Sequence, residues 1–335
     1  MKRALIASAT LLTALAGSVF AENAKVEILN ASYDVSRELF AEVNPAFSAA
    51  WLAKQKQELT IRQSHGGSSK QARAVADGLA ADVVTLNQAT DLDFLAKQGQ
   101  VAADWAKKFP NGAAPYYSLP VFLVRDGNPK GIKDWDDLAK TGIQPVFPNP
   151  KTSGNGRYTY LAAYTYALRK NGGDEAKAKA LVGKILANVP VFDTGGRGAT
   201  TTFVEREIGD VLITFESEVS AIRNEYNKAK IDVVYPSLSV RADFPVAVVD
   251  RVVDRNGTRA VATAYLQFLY GPEGQDLLAR KYFRVRDAAV AKKYQAQFPA
   301  VQLASVEETF GSWDRVTADH FGENGILDQL LASKR

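Results

Sequence analysis

The chain has 335 residues, a formal net charge of +4 and no cysteine. Without cysteine it can form no disulfide, no thiol nucleophile and no thiolate metal site. Acidic and basic residues are interspersed, as in DRVVDRN and DEAKAKA, so the small positive excess argues against a nucleic-acid partner.

The first 21 residues have the pattern of a secretory signal peptide. Lys2 and Arg3 are followed by a short apolar run and then by small residues, so we predict cleavage after Ala21 and export to the periplasm. The apolar run is shorter than the roughly 18 residues that a membrane-spanning helix needs. Cleavage leaves roughly 310 residues, enough for one or two domains with substantial cores.

From Val26 onward, strand patterns alternate with helical patterns. Strands are predicted for VEILNA, LTIRQS, ADVVTL, VFLVRD, IQPVFP, VPVFD, DVLITF, IDVVYP and FPVAVVD. Helices are predicted for SRELFAEVNPAFSAAWLAKQ (softly broken at Pro45), SSKQARAVADGL, DWDDLAK, residues 158–170, DEAKAKALVGKILANV and TRAVATAYLQFLYG. This alternation predicts an α/β fold with mostly parallel sheets flanked by helices, in which ligands bind beyond the carboxyl ends of strands.

Two Pro-led strands, LPVFLVRDGNPK and FPVAVVDRVVDRNG, begin at Leu119 and Phe244. They are either paired crossovers between two lobes or two ordinary strands, and the pattern alone does not decide. As crossovers they divide the chain into lobe 1 (residues 22–118 and 246–300) and lobe 2 (residues 119–245). A C-terminal helical segment, residues 301–335, is left unassigned, and the cleft between the lobes becomes the expected ligand site.

Three turns rich in Gly, Ser and Thr follow predicted strands: QSHGGSSKQAR, NPKTSGNGR and FDTGGRGATTTFVER. Each leads into a helix, whose first backbone N–H groups can bind an anion. Capping alone is the alternative, because Ser68 with Gln71 and Thr202 with Glu205 match capping boxes. The second turn is not the phosphate loop of an NTPase, since its lysine, Lys151, precedes the glycines. Three such turns together favour an anion site.

Nothing in the sequence indicates catalysis or a metal. The chain has two histidines, His65 and His320, no G-x-S-x-G elbow and no cluster with metal-ligand spacing. We interpret His320 as a surface or cap histidine, and Tyr158 and Tyr160 as packing residues rather than ligands of a ferric ion. The prediction is therefore no enzyme and no cofactor, with an exported hydrolase of phosphate or sulfate esters as the competing class.

Four segments resemble the periplasmic sulfate/thiosulfate-binding proteins of ABC importers: SYD, QSHGGSSKQA, FPNPKTSGNGRYTYLAA and FDTGGRGATTTF. GDVLITFESEV, FPVAVVD, YGPEGQ and FGSW follow in family order, so the resemblance covers essentially the whole mature chain. It implies a two-lobed periplasmic-binding-protein fold of type II that closes over a dehydrated tetrahedral dianion. It also implies delivery of that anion to membrane ABC permease subunits, by a receptor that we expect to be a monomer.

The resemblance implies that backbone N–H groups, together with the hydroxyl of Ser68, bind the anion. The ligand residues carried over are Asp34 and Ser68 in lobe 1, and Ser153, Gly154, Asn155 and Gly196 in lobe 2. Three further residues are placed just behind them: Arg197, Arg157 and His65. Asp34 and Arg197 are expected to pair across the cleft when the lobes close, so that Arg197 favours the closed state without touching the ligand.

Three positions depart from the family pattern. Asn155 replaces a glycine of some relatives, which leaves the backbone donor in place, and Gly156 stands where alanine is usual, with little consequence expected beyond a looser helix start. Phe215 stands where the sulfate-selective branch has a tryptophan that donates its indole N–H to the anion. Its ring would offer the sulfur of thiosulfate an apolar wall, unless strand alternation turns it into the core. The chain thus looks like the thiosulfate-binding branch.

A site made of donors suits sulfate and thiosulfate, which carry no proton near neutral pH. Protonated phosphate would bring a donor that finds no acceptor. The predicted function is therefore capture of thiosulfate and/or sulfate for sulfur assimilation. A receptor for phosphate or molybdate is the alternative within the same class.

Overall fold

The structure is a computed structural model that describes residues 25–226 and 230–332, so the predicted signal peptide lies outside the described residues. The strands are β1 (Val26–Tyr33), β2 (Leu59–Gly66), β3 (Val83–Thr85), β4 (Tyr116–Ser118), β5 (Pro120–Arg125), β6 (Pro145–Val146), β7 (Val211–Phe215), β8 (Ile231–Val234), β9 (Leu238–Val240), β10 (Ala242–Phe244), β11 (Val246–Val248), β12 (Arg284–Val285) and β13 (Gln302–Ala304).

The α-helices are α1 (Arg37–Gln55), α2 (Ser68–Ala76), α3 (Ala89–Lys97), α4 (Pro110–Ala113), α5 (Gly154–Lys170), α6 (Glu175–Asn188), α7 (Gly196–Val204), α8 (Glu216–Glu225), α9 (Asp250–Asn256), α10 (Arg259–Phe268), α11 (Pro272–Arg280), α12 (Ala288–Lys293), α13 (Val306–Phe310), α14 (Trp313–Val316) and α15 (Ile326–Ala332). Shorter 3-10 helices are Asp34–Ser36, Trp105–Lys107, Trp135–Ala139 and Gln295–Gln297, and Thr317–Phe321 forms a π-helical turn.

Two four-stranded sheets form the main frame. The first has the order β11-β3-β1-β2, and β1 pairs in parallel with both β2 and β3. The second has the order β6-β7-β5-β8, in which β6 and β7 are parallel and β5 runs antiparallel to β7 and β8. Each sheet therefore has three strands in one direction and one in the other, which agrees with the predicted α/β class.

A smaller sheet joins the two. It has the order β10-β4-β12, and β4 is antiparallel to both neighbours. Leu119 alone separates β4 from β5 of the second sheet, and Pro245 alone separates β10 from β11 of the first. Both Pro-led segments thus run from the small sheet into a large one, an arrangement that is compatible with paired crossovers.

Three predicted elements differ in the structure. VPVFD forms no strand: Pro190 has no N–H to donate, and Asp193 O accepts from Asn149 N (2.8 Å) outside any ladder. Helix α1 runs unbroken through Pro45 to Gln55. DWDDLAK forms a 3-10 helix, which begins at a capping box between Asp134 and Asp137.

The C-terminal segment packs against α5, and this placement buries His320. The imidazole Nδ1 lies 2.8 Å from the Tyr160 hydroxyl, and the ring contacts the rings of Tyr164 and Phe310 edge-on. Burial lowers the pKa of His320 to about 4. The interpretation as a surface or cap histidine is therefore wrong, whereas the packing roles of Tyr158 and Tyr160 agree with their burial.

The same segment is not entirely helical, because β13 pairs in parallel with β9. It is tied to the α5 turn by Lys151, whose ammonium donates to the Phe321 carbonyl and to Asp328, both at 2.9 Å. Among residues 25–226 and 230–332, no helix combines the length and the apolar composition needed to cross a membrane.

Candidate functional site

The three glycine-rich turns meet at one cleft of about 460 Å³. The first turn follows β2 of the first sheet, and the other two precede α5 and α7, which flank the second sheet. The residues that line the cleft are Tyr33, Asp34, Val35, Gly66, Gly67, Ser68, Lys70, Arg73, Asn87, Thr152, Ser153, Gly154, Asn155, Thr194, Gly195, Gly196, Arg197, Gly198 and Glu218. All six residues carried over as donors or turn-formers are among them.

The predicted donor residues lie at the starts of helices, with Asn155 as the second residue of α5. Ser68, Gly154 and Gly196 are the first residues of α2, α5 and α7, and Asp34 is the first residue of a 3-10 helix. The first N–H groups of a helix have no partner inside it, and they lie at the positive end of the helix dipole. Ser153 is the N-cap of α5, where its hydroxyl accepts from Gly156 N at 3.4 Å. The cleft is therefore surrounded by neutral N–H donors.

Two glycines in the α5 turn are required by close packing. An added Cβ on Gly154 would lie 2.2 Å from Asn87 Oδ1, across the cleft from α5. An added Cβ on Gly156 would lie 2.2 Å from the Pro148 carbonyl oxygen. An alanine at position 156 therefore requires the backbone of the turn to move, and the expectation that this glycine has little consequence stays a prediction.

The Ser68 hydroxyl is engaged by its own half of the protein. It donates to Asp91 Oδ2 at 2.5 Å and accepts from Asn87 N at 3.1 Å. Ser69 also donates to Asp91, and burial raises the pKa of the Asp91 carboxyl. The predicted capping box with Gln71 does not form, because Gly67 is the N-cap and Ser68 lies inside the helix. Thr202 likewise lies inside α7, so its capping box with Glu205 is absent.

Replacing Ser68 by alanine is expected to lower stability and affinity together. The change leaves Asp91 short of one donor and the Asn87 N–H without its acceptor, which costs about 1–3 kcal/mol of unfolding free energy. The loosened α2 turn should also bind the anion less well. Melting temperature and a calorimetric Kd, measured on the same variant, check both effects. Ser69→Ala is the matched control, since its hydroxyl contacts Asp91 but does not line the cleft, and an unchanged Kd in Ser68→Ala would contradict the prediction.

Arg197 lies among carboxylates of both halves. Its guanidinium is 3.8 Å from Asp34, 3.3 Å from Glu38 and 3.9 Å from Glu225. Asp34 and Glu38 follow β1 of the first sheet, whereas Arg197 and Glu225 belong to α7 and α8 beside the second sheet. The expected contact between Arg197 and Asp34 is therefore present in this structure.

Replacing Arg197 by glutamine is expected to weaken anion binding by about threefold to tenfold, because partly exposed ion pairs contribute modestly. The ligand-free protein should melt at the native temperature, since these contacts cross the cleft. Parallel titration and melting experiments check this. If the ligand-free protein melts several degrees lower, Arg197 is a structural residue and does not favour the closed state.

Phe215 does not line the cleft. Its ring is buried and packs edge-on against Tyr158 and Phe244. Thr214, the preceding residue of β7, instead hydrogen-bonds to the cleft residues Asn155 and Glu218. The ring is thus turned into the core, as strand alternation allows, and the predicted apolar wall for a ligand sulfur is not present.

Arg157 and His65 also lie outside the cleft lining. Arg157 donates to the Pro150 carbonyl at 3.1 Å and to the Thr90 hydroxyl at 3.3 Å, so it joins the α5 turn to the first turn of α3. His65 is half-buried on β2, where burial and the nearby Arg37 lower its pKa. Their predicted place behind the ligand groups stays a prediction.

Glu218 is a cleft residue that sequence reasoning missed. It is buried on α8, where Oε2 accepts from the Thr214 hydroxyl at 2.6 Å and Oε1 from Asn155 Nδ2 at 3.5 Å. Burial raises the pKa of Glu218 to about 7, and Thr214 and Asn155 oppose this rise only in part. Asn87, Lys70 and Arg73 were missed as well. Glu218 and Asn87 reach the cleft through tertiary packing, and no spacing rule identifies them. Lys70 and Arg73, in contrast, belong to the QSHGGSSKQAR segment that leads into α2.

Replacing Glu218 by glutamine is expected to stabilise the ligand-free protein at alkaline pH. The folded-state pKa of about 7 exceeds the ordinary 4.5, so folding favours the protonated form and stability falls as the pH rises from 4.5 to 7. Above that range the variant should be more stable by about 3 kcal/mol, and below about pH 4.5 the two proteins should match. Denaturant titrations at both extremes check this, and an equal difference at both would exclude the titration of Glu218 as its cause.

Within the described residues, no group of three or more His, Asp or Glu side chains could hold a metal ion.

Comparison with known proteins agrees with this geometry. Residues 31–284 match the family described as bacterial extracellular solute-binding protein. The chain is 54% identical to the thiosulfate-binding protein of Pseudomonas aeruginosa, over 99% of each chain, and 50% identical to the sulfate-binding protein of Escherichia coli K12, over 96% of each. The solved sulfate-binding protein SubI from Mycobacterium tuberculosis is 32% identical, with a TM-score of 0.80 over 89% of this chain and 100% of SubI. The chain therefore belongs to the bacterial extracellular solute-binding proteins, within their group of thiosulfate- and sulfate-binding proteins, and has the two-lobed type II fold.

Proposed function

We propose that this protein is a periplasmic receptor that captures thiosulfate and sulfate and delivers them to an ABC importer for sulfur assimilation. The observation that carries the proposal is the convergence of three α-helix N-termini, from both large sheets, on one cleft. The names of relatives about half identical over nearly their full lengths support the same cargo.

The donor set suits a fully ionised tetrahedral anion. The backbone N–H groups of the ligand residues are neutral, and they present donors without acceptors. About five charge-assisted hydrogen bonds would contribute roughly 8–15 kcal/mol before dehydration and closure are subtracted. A net binding free energy near −8 kcal/mol, or a Kd of about 1 μM, is then expected. Lys70 and Arg73 on α2 and Arg197 on α7 also make the cleft attractive to anions.

The two lobes are proposed to be residues 22–118 with 246–300, and residues 119–245. The small sheet at the crossovers supports this division. The described part of the C-terminal segment is proposed to join lobe 2, because Asp328 binds Lys151 and His320 contacts Tyr160. The contacts of Arg197 with Asp34 and Glu38 join the proposed lobes across the cleft and would favour the closed state.

The receptor is proposed to act as a monomer, after signal-peptide cleavage, with permease subunits as its partners and without catalysis of its own. Phe215 supplies neither an indole donor nor a wall of the cleft, so we propose binding of both anions without assigning a preference from this position. The lack of a donor there still distinguishes the chain from the sulfate-selective pattern.

Calorimetric titration tests the cargo directly. Sulfate and thiosulfate should bind with micromolar or tighter affinity, whereas phosphate and molybdate should give no comparable heat. Tight phosphate binding would contradict the donor argument. Incubation with phosphate and sulfate esters should give no turnover, and release of phosphate or sulfate would support the hydrolase class instead.

A further inference from the structure

Asn87 lines the cleft with a side-chain amide. Among the amide side chains that line the cleft in the described part of the chain, it is the one whose oxygen has no hydrogen-bond partner. The residue follows β3, in the loop that leads to α3, and only 7% of its surface is exposed. Its Oδ1 is fully buried and accepts no hydrogen bond. A buried amide without partners is costly, and native structures keep few of them without a reason.

Neighbouring amides show the contrast. Gln88, the next residue, donates from Nε2 to the Ser69 hydroxyl at 2.7 Å and to Asp91 at 2.8 Å. Asn155, across the cleft, donates to the Thr214 hydroxyl at 3.1 Å. The hydrogen-bond network around the cleft therefore includes the other buried amides and leaves the Asn87 oxygen out of it.

The backbone of Asn87 is held in place. Its N–H donates to the Ser68 hydroxyl, which is itself bound to Asp91. Its amide faces the start of α5, because Oδ1 lies 2.2 Å from where a Cβ of Gly154 would be. The amide therefore sits between Ser68 and Gly154, one donor residue from each half of the protein.

We propose that the Asn87 side chain is a direct ligand group of the anion site, with Nδ2 donating a hydrogen bond to an oxygen of the bound sulfur oxyanion. The inference rests on the proposed function, since it adds a side-chain donor to the backbone N–H groups of that same cleft. Rotation of the amide by half a turn exchanges its oxygen and nitrogen without changing its shape, so either end can meet the ligand.

This role also affects specificity. Backbone donors are the same in every residue, whereas a side-chain donor can be replaced by a group of opposite character. An aspartate at position 87 would place an acceptor-only, negatively charged group beside a dianion. It would then suit only an anion that carries its own proton, such as hydrogen phosphate.

The test uses sodium sulfate and sodium thiosulfate as calorimetric probes of the full mature chain. Asn87→Ala should weaken the binding of both anions by about tenfold, as loss of one hydrogen bond to a charged group predicts. Asn87→Asp should weaken it by at least about 100-fold, because a donor becomes a charge of the same sign as the ligand. Asn224→Ala and Asn224→Asp are matched controls, since Asn224 is exposed on α8 outside the cleft, and both should bind as the native chain does.

A second measurement separates a ligand group from a packing residue. Removing an amide whose oxygen is unpaired should leave the melting temperature of the ligand-free protein unchanged or slightly higher. Native affinity in Asn87→Ala would overturn the proposal. A lowered ligand-free melting temperature, with equal affinities in the alanine and aspartate variants, would overturn it as well. If the native chain binds neither anion, the proposed function fails too, whereas native binding that is insensitive to position 87 refutes only this inference.

Discussion

Replacing Gly154 by alanine is expected to weaken the binding of sulfate and thiosulfate by about 100-fold, or about 2.7 kcal/mol. The new methyl group would lie 2.2 Å from Asn87 Oδ1 and 2.9 Å from its Cγ. Both residues are buried, so the contact can be relieved only by displacing the amide or by keeping the two halves apart. Either response moves donors away from the anion. Calorimetric titration measures the loss.

Gly183→Ala is the matched control, because it adds the same group to α6, where the nearest atom is a Leu330 methyl at 3.4 Å. It should bind both anions as the native protein does. The effect of Gly154→Ala should also shrink in an Asn87→Ala background, where the colliding side chain is gone. Native affinity in Gly154→Ala would show that the cleft does not close as tightly as the structure indicates.

Replacing Arg284 by leucine is expected to lower the free energy of unfolding by about 3–5 kcal/mol. The guanidinium donates to both oxygens of Glu216, at 2.6 and 2.9 Å, and also to the Pro299 carbonyl. Only 1% of the Glu216 side chain is exposed. Without Arg284, its charge stays buried with no cation beside it. Denaturant titration at neutral pH measures the loss.

Two comparisons test the cause. Glu216→Gln combined with Arg284→Leu should be less destabilised than Arg284→Leu alone, because no unpaired charge remains. Arg62→Leu breaks a pair with Glu27 whose side chains are 68% and 45% exposed, so it should cost at most about 1 kcal/mol. Equal losses of unfolding free energy in Arg284→Leu and Arg62→Leu would show that burial of the ion pair does not determine the cost of breaking it.

The parts of the site that could be predicted from sequence are those set by local structure. A glycine-rich turn between a strand and a helix predicts free N–H groups wherever the rest of the chain lies. Ser68, Gly154 and Gly196 accordingly lie at helix starts and line the cleft. The α/β class was predictable for a similar reason, because alternating strand and helix patterns allow few other arrangements. The sheets are less parallel than predicted, since three of the six strand pairings in the two large sheets are antiparallel.

The features of the site that the sequence did not predict depend on contacts between residues far apart in the chain. The local sequence around Ser68 matches a capping box. In the structure its hydroxyl instead donates to Asp91, which lies 23 residues further along the chain. His320 was predicted to be a surface or cap histidine, but it is buried because the C-terminal segment packs over α5. Asn87 and Glu218 have ordinary neighbours in the sequence, and only the meeting of two sheets brings their polar groups to a ligand site.

The crossovers also determine how the molecule can move. Because β4 and β10 are adjacent and antiparallel, two of the links between the large sheets lie in one hydrogen-bonded ribbon. The ribbon joins the large sheets through single residues, Leu119 and Pro245, while the third link, residues 286–301, is longer. A bend there would turn the two large sheets about the small one. Hinge motions of this kind take microseconds to milliseconds, so opening of the cleft need not wait for any part of the chain to unfold.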